Sequence, residues 1–527
     1  MTQLVSPKTA LAPFDGTEHE HNGRRYRFFQ EEEELFAEVT RRAANNDQLT
    51  TRMKVVMSTG SHHYQLYWGA VDAFSEPLEI PLYWNIKEQR WIPKSDTTIT
   101  PPGAADGPGH WNSHCIRCHS LNGKPGFVSN EARYESRVSE FGITCEACHG
   151  PGEAHVEKHR SPAARYAAHF GEADTSIVNP AKLDARASSH VCARCHGNYK
   201  QDMERMVLSG FPYTAGEDLE EVVVFHDADD PMPGSEEYAQ TQSWRDGTSR
   251  TGGDEFNAHM KSPCYQAGEL SCISCHSLHD SDPNDQLGAG MDGNRACLQC
   301  HESFEKDLQA HTHHDPSSPG SACYNCHMPH TSFALSTAMR SHRIDSPDVQ
   351  SSAQTGRPNA CNLCHLDKSL EWAGQFMGEW YDADPPELTV EQQTIAASVL
   401  WLLKGDAVQR AVAAWHMKWD PARRASGSDW QAGLLAELLV DPYAQVRYLA
   451  SESLEPLPGF DGFAFDFIGG EEHYRDGYAD AIERWQAARQ HDAGAQPSVL
   501  VSRGGTDRAS IARLLAERDN TPIDLPE

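Results

Sequence analysis

Seven C-x-x-C-H strings constrain this chain more than any other feature. They are Cys115-Ile-Arg-Cys118-His119, Cys145-Glu-Ala-Cys148-His149, Cys192-Ala-Arg-Cys195-His196 and Cys272-Ile-Ser-Cys275-His276. Cys297-Leu-Gln-Cys300-His301, Cys323-Tyr-Asn-Cys326-His327 and Cys361-Asn-Leu-Cys364-His365 complete the set. Together they use 14 of the 15 cysteines and leave only Cys264, read as a buried free thiol. Thiols at i and i+3 lie on one side of a helical turn, and a histidine at i+4 follows on that side. Two such thiols can bond the two vinyl groups on one edge of a haem while the imidazole takes an axial position on the iron. The expectation is seven covalently attached haem c groups, with each motif histidine as a proximal iron ligand. Paired C-x-x-C units also build zinc ribbons. A ribbon, however, does not need a histidine directly after the second cysteine, and here all seven have one. An i,i+3 spacing and an odd cysteine count also suit a disulfide framework poorly.

Each iron has a second axial position: histidine there makes a low-spin electron carrier, and an open position admits substrate. Outside the motifs 21 of the 28 histidines remain, 18 before Cys361 and only His416, His473 and His491 after His365. The surplus therefore tracks the motifs. His279 and His330 each follow a motif histidine by three residues, too close to reach the far face of their own haem, so each is expected to ligate a neighbouring one. His155, past the Pro-Gly turn after Cys148-His149, is expected to do the same. His62 and His63 fall in an alternating segment, 55–68, that reads as one strand, so only one of them faces a haem. His342, His259, His110 and the cluster His311, His313 and His314 complete the candidates. His19 and His21 read as solvated.

The charge balance narrows the partners. Forty-five Lys+Arg against 76 Asp+Glu leave a net charge of −31, which repels a phosphate backbone and makes nucleic acid an unlikely target. Two propionates per haem would add to that charge, so basic or cationic redox partners and salt-sensitive association are expected. No apolar run approaches the roughly 20 residues of a membrane span.

The chain reads as a mixed fold in four parts. Residues 1–100 form a small antiparallel β unit, because 24–29, 35–39, 53–68 and 78–92 are rich in Tyr, Phe, Val and Ile and broken by polar turns. Residues 101–370 form the heptahaem domain, opened by a Pro/Gly-rich linker at 101–109. The motif starts are 30, 47, 80, 25, 26 and 38 residues apart. Segments that short cannot each build an apolar core, so the haems are expected to serve as the core among loops and short helices. The stretch 200–260 reads as a surface insertion. Residues 371–490 show the Ala/Leu/Trp spacing of packed helices at 392–403, 408–419, 430–439 and 444–454. Asp406 and Asp441, 35 residues apart, each open a second helix, which suggests α-α repeats. The run from Asp441 through Val446 and Arg447 to Leu454 resembles the second helix of a HEAT repeat. Residues 491–527 read as a polar tail with a short helix.

Four strings carry a resemblance: Thr59-Gly-Ser-His62-His63, residues 145–155 with Cys-His-Gly-Pro, residues 323–330 ending Cys-His-Met-Pro-His, and residues 357–365. On these the chain resembles multihaem c-type cytochromes related to the tetrahaem electron carriers of nitrifying bacteria. More closely, it resembles a family that joins such haems to a C-terminal helical repeat. The resemblance implies extracytoplasmic, periplasmic electron transfer. Such proteins begin with a signal peptide and a further C-x-x-C-H, so Met1 is expected to be internal to a longer product.

Electron transfer along a chain of haems is therefore the leading reading. The alternative is a multihaem oxidoreductase acting on a small nitrogen or sulfur compound at a haem with an open distal site. Pentahaem nitrite reductases mark such a haem with lysine in place of the motif histidine, and no motif here carries that change. The helical region is expected either to dock a partner or to brace the haem domain.

Overall fold

The N-terminal strands form because apolar and polar residues alternate at a spacing of two. The computed structural model describes residues 2–43, 45–60, 62–104, 107–170, 174–227, 241–252, 254–279, 281–333, 336–489, 496–502 and 505–525. His491, residues 228–240 within the stretch read as an insertion, and part of the 101–109 linker lie outside the described residues. Mixed secondary structure is observed, about 40% helix and 18% strand.

The strands β1 (Asp15–His21), β2 (Arg24–Glu31), β3 (Glu34–Arg42), β4 (Gln48–Thr59), β5 (Tyr64–Ala70), β6 (Leu82–Asn85) and β7 (Arg90–Pro93) pair antiparallel in sequence order. In β2 the inward residues Tyr26 and Phe28 meet Val39 and Ala37 of β3, a large side chain opposite a smaller one in each pair. Ala37 in turn faces Met53. The Phe28 and Trp91 rings stack with centres 4.1 Å apart, joining β2 and the last strand on one buried face. The segment 55–68, expected as one strand, is two. Gly60, at φ +82°, turns the chain, and a Cβ there would strike the Tyr64 carbonyl oxygen. His62 and His63 consequently sit exposed on the hairpin connection rather than on opposite faces of a strand.

The chain divides into two compact units. The first holds residues 1–94, 105–225 and 267–274, and the second 95–104, 226–266 and 275–527. The first contains the sheet and the three leading motifs. The fourth motif gives Cys272 to the first unit and Cys275 and His276 to the second.

Within the second unit, helices α1 (Ala397–Lys404), α2 (Ala407–Lys418), α3 (Ala432–Leu438) and α4 (Ala444–Leu454) pack as two adjacent helical pairs. Asp406 caps α2 through a reciprocal box with Gln409. Asp441 is buried with Arg410 of α2, with Nε 2.8 Å from the carboxylate and neither side chain exposed. Further helices span Glu471–Ala488 and Arg508–Ala516.

Candidate haem-binding sites

Every motif lies on or beside a helical turn. The turns are Ile116–His119, Cys145–His149, the end of Ala185–His196, Cys272–Ser274, Arg295–Leu298, Cys323–His327 and Ala360–Cys364. Local sequence starts several of them. Asp184 accepts from the Ala187 amide at 2.8 Å, and Asn359 from the Cys361 amide at 3.0 Å. Both are N-caps that hold the turn on which the cysteines are spaced.

In the first unit, cysteines of different motifs meet. The thiols of Cys118 and Cys195 lie close together, as do those of Cys192 and Cys272. Cys192 also lies within electrostatic reach of Cys148. Residues 118, 195, 192 and 272 thereby bring the first, third and fourth motifs side by side. His149 is oriented by its Nδ1, 2.8 Å from the Val178 carbonyl oxygen. His119 Nδ1 lies 3.1 Å from the Thr2 hydroxyl, and burial holds its pKa below the usual histidine value. His196 ends its helix exposed. His155 lies on the helix Glu153–His159, and its Nδ1 is 2.8 Å from Asp174. His159 Nε2 approaches the same carboxylate oxygen at 2.5 Å.

In the second unit three histidine pairs share one geometry. The ring centres of His276 and His342 are 6.2 Å apart with planes at 23°. For His311 and His327 the values are 6.2 Å and 3°, and for His314 and His365 they are 6.0 Å and 29°. A metal–imidazole bond of about 2 Å on each side, with a ring radius of about 1.1 Å set by C–N bonds of about 1.33 Å, gives about 6.3 Å between centres of rings that share one metal. Each pair joins a motif histidine to a histidine outside any motif. The Nδ1 atoms of His276, His327, His342 and His314 lie 3.1, 2.8, 3.1 and 2.6 Å from the carbonyl oxygens of Asp285, Asp345, Arg340 and Thr312. Such bonds place the proton on Nδ1 and leave Nε2 as the nitrogen able to ligate a metal. Burial lowers the pKa of His311 and His365, favouring the neutral imidazole that binds metal.

The thiols here follow one another too. Cys297 lies close to Cys323 and within electrostatic reach of Cys275, and Cys326 lies within reach of both Cys361 and Cys364. Burial pushes Cys326 and Cys364 up to about 11 and Cys361 to about 12. His301 is exposed, and so is His279, in the turn after the fourth motif. His330 opens the strand His330–Phe333 and packs among Trp415, Trp419 and His416, with ring centres 4.6, 5.1 and 5.6 Å away. Burial there drops its pKa to about 2. Cys264 is half-buried.

Two observations bear on which group these residues hold. Among the described residues, the one set of three or more potential ligand atoms lying mutually close is His155, His159 and Asp174. No two C-x-x-C units gather their thiols around a common point, as a zinc ribbon would require. From Cys275 to Asp348, moreover, no described apolar side chain is buried. This stretch carries most of three motifs and the histidines 311, 314 and 342. Its described residues combine many potential metal ligands with no buried apolar side chain. Sequence spacing offered no way to separate His311 and His314 from His313, because all three stand in one polar run. Only their ring partners do so.

The family described as "Doubled CXXCH motif" matches residues 265–306, which span the fourth and fifth motifs. The chain is similar to a protein described as "Multiheme cytochrome MtrA" from Shewanella baltica (strain OS185), at 26% identity over 258 residues. That alignment covers 48% of this chain and 52% of the relative, so the chain spans about half the length of the curated relative it matches. No solved structure matches it. The motifs and these two likenesses support covalently bound c-type haem with iron.

Proposed function

We propose that the chain carries seven haem c groups and passes electrons along them outside the cytoplasm. The observation that carries this reading is the stretch 275–348, which sets imidazole ring centres 6.2 Å apart and, among its described residues, buries no apolar side chain. A folded segment of that length needs something to pack against, and the tetrapyrroles would be its core. The haem, when bound, supplies the ferric/ferrous couple. The chain's residues do the rest. The fourteen motif cysteines hold the macrocycles in place, His119, His149, His196, His276, His301, His327 and His365 bind on one face, and carbonyl-bonded Nδ1 atoms fix the imidazole direction. His342 is the distal partner of His276. His155, His279, His330 and one of His62 and His63 are the further distal candidates, and His279, exposed as it is, would serve only a haem that covers it. Motif cysteines in mutual contact favour short edge-to-edge distances between neighbouring groups within each unit.

The net charge of −31 favours basic redox proteins as donors or acceptors. The two helical pairs α1/α2 and α3/α4 are the HEAT-like part of this reading, and their outer face is the docking surface. Among the described residues no helix is long and apolar enough to cross a membrane. Pyridine haemochrome quantitation with EPR of protein matured by a cytochrome assembly system tests the proposal. Seven haems per chain with low-spin ferric signals are expected. Colourless protein that retains zinc would overturn it, and a dominant high-spin signal would favour the oxidoreductase.

A further inference from the structure

We propose that one short segment ligates two different haem irons: His311 that of the sixth motif, opposite His327, and His314 that of the seventh, opposite His365. The inference rests on the reading that these motifs carry haem c. Its own support is the geometry of four rings. Centres 6.2 and 6.0 Å apart match, within about 0.3 Å, the spacing expected of two imidazoles on one metal.

The backbone explains how residues three apart serve different irons. Along an uninterrupted helix, positions i and i+3 lie on the same face. Here the helix Leu308–Thr312 stops, and His313 adopts a left-handed conformation at φ +54°. That reversal sends His314 away from the direction of His311. The segment is pinned on several sides. Tyr381 donates to the His311 carbonyl oxygen at 2.5 Å, and the Thr312 and Ser321 hydroxyls are 2.9 Å apart. The His313 ring lies on Trp380, with centres 4.2 Å apart and planes at 10°. His313 thus anchors the clamp, while the rings of His311 and His314 lie near those of His327 and His365.

An independent observation places the two targets together. The helical turns Cys323–His327 and Ala360–Cys364 pack on each other, and Cys326 acts electrostatically on both cysteines of the seventh motif. The sixth and seventh groups are therefore neighbours, and a clamp three residues long is enough to bridge them.

The test uses the full-length holoprotein with haem content measured in every sample. His311→Ala and His314→Ala should each convert one haem equivalent from low-spin to high-spin ferric by EPR, and the double variant two. Added imidazole should restore the low-spin signal. His473→Ala, at an exposed histidine of the helix Glu471–Ala488, should convert none. Should the alanine variants mature poorly, His311→Met keeps a ligand and should shift one haem to a more positive potential in a redox titration, since methionine ligation raises the potential. Seven haems with an undiminished low-spin signal in either single alanine variant, or an unshifted titration in His311→Met, would overturn the clamp and leave the wider reading standing. A parent protein without haem would overturn both.

Discussion

The rings of His276 and His342 lie with centres 6.2 Å apart and planes at 23°, although 66 positions separate them in the chain. Ser262 ties the loop that brings them together. Its hydroxyl donates to the His342 carbonyl oxygen at 3.1 Å and accepts from the Ile344 amide at 2.9 Å. If His342 is the distal ligand of the fourth haem, His342→Ala opens that position. The reduced variant is expected to bind carbon monoxide at one haem equivalent more than the parent. An unchanged difference spectrum would remove His342 from the ligand set.

Arg410 and Asp441 form an ion pair with no solvent exposure, and Arg518 reaches the same carboxylate at 3.1 Å. Removing one partner of a buried pair leaves an uncompensated charge and costs about 3–5 kcal/mol. Asp441→Ala should therefore lower the melting temperature of the helical region by several degrees while the Soret spectrum of the assembled protein stays unchanged. Helical circular dichroism on heating is the measurement. A shift under one degree would mean that the pair adds no net stability.

Asp406 does two jobs that substitution can separate. Its carboxylate caps α2, and it also accepts from Arg250 at 2.7 Å. Asp406→Asn keeps a capping oxygen but loses the charge, whereas Asp406→Ala loses both. The alanine variant should be less stable than the asparagine variant by about 1 kcal/mol, the usual value of a cap. Chemical denaturation of the two side by side decides it, and equal midpoints would count against the cap.

Arg513 and Lys404 hold the Glu391 carboxyl below its ordinary value of 4.5. A depressed acid contributes stability above its unfolded-state pKa and loses it as pH falls through the folded value. The interaction should therefore be intact at pH 6 and weaken progressively below about 4.5. Glu391→Gln should flatten that acid limb. Melting temperatures from pH 6 down to pH 3 provide the comparison, and parallel curves would exclude the contribution.

The acidic surface makes association with a basic partner sensitive to salt. Electron exchange with a small cationic cytochrome should slow about tenfold as ionic strength rises from about 0.01 M to about 0.2 M. Stopped-flow reduction rates give the slope. A flat profile would remove the charge argument for basic partners.

The order of residues alone carries the chemistry of attachment, because C-x-x-C-H is a local requirement. Two thiols and an imidazole must share one helical turn, and five consecutive residues contain everything needed. Alternating Tyr26, Phe28 and Ala37 likewise announce strands, since side-chain alternation is a property of the local backbone. The single strand expected over 55–68 failed at Gly60, where one positive φ made a hairpin and moved His62 and His63 to its tip. Distal partnership could not be read from the chain at all. His311, His313 and His314 are alike in type and neighbourhood, and His276 meets His342 rather than nearby His279. Which imidazole opposes which depends on where Ser262, Trp380 and Tyr381 pin the loops, contacts between residues far apart in sequence that only the folded chain brings together.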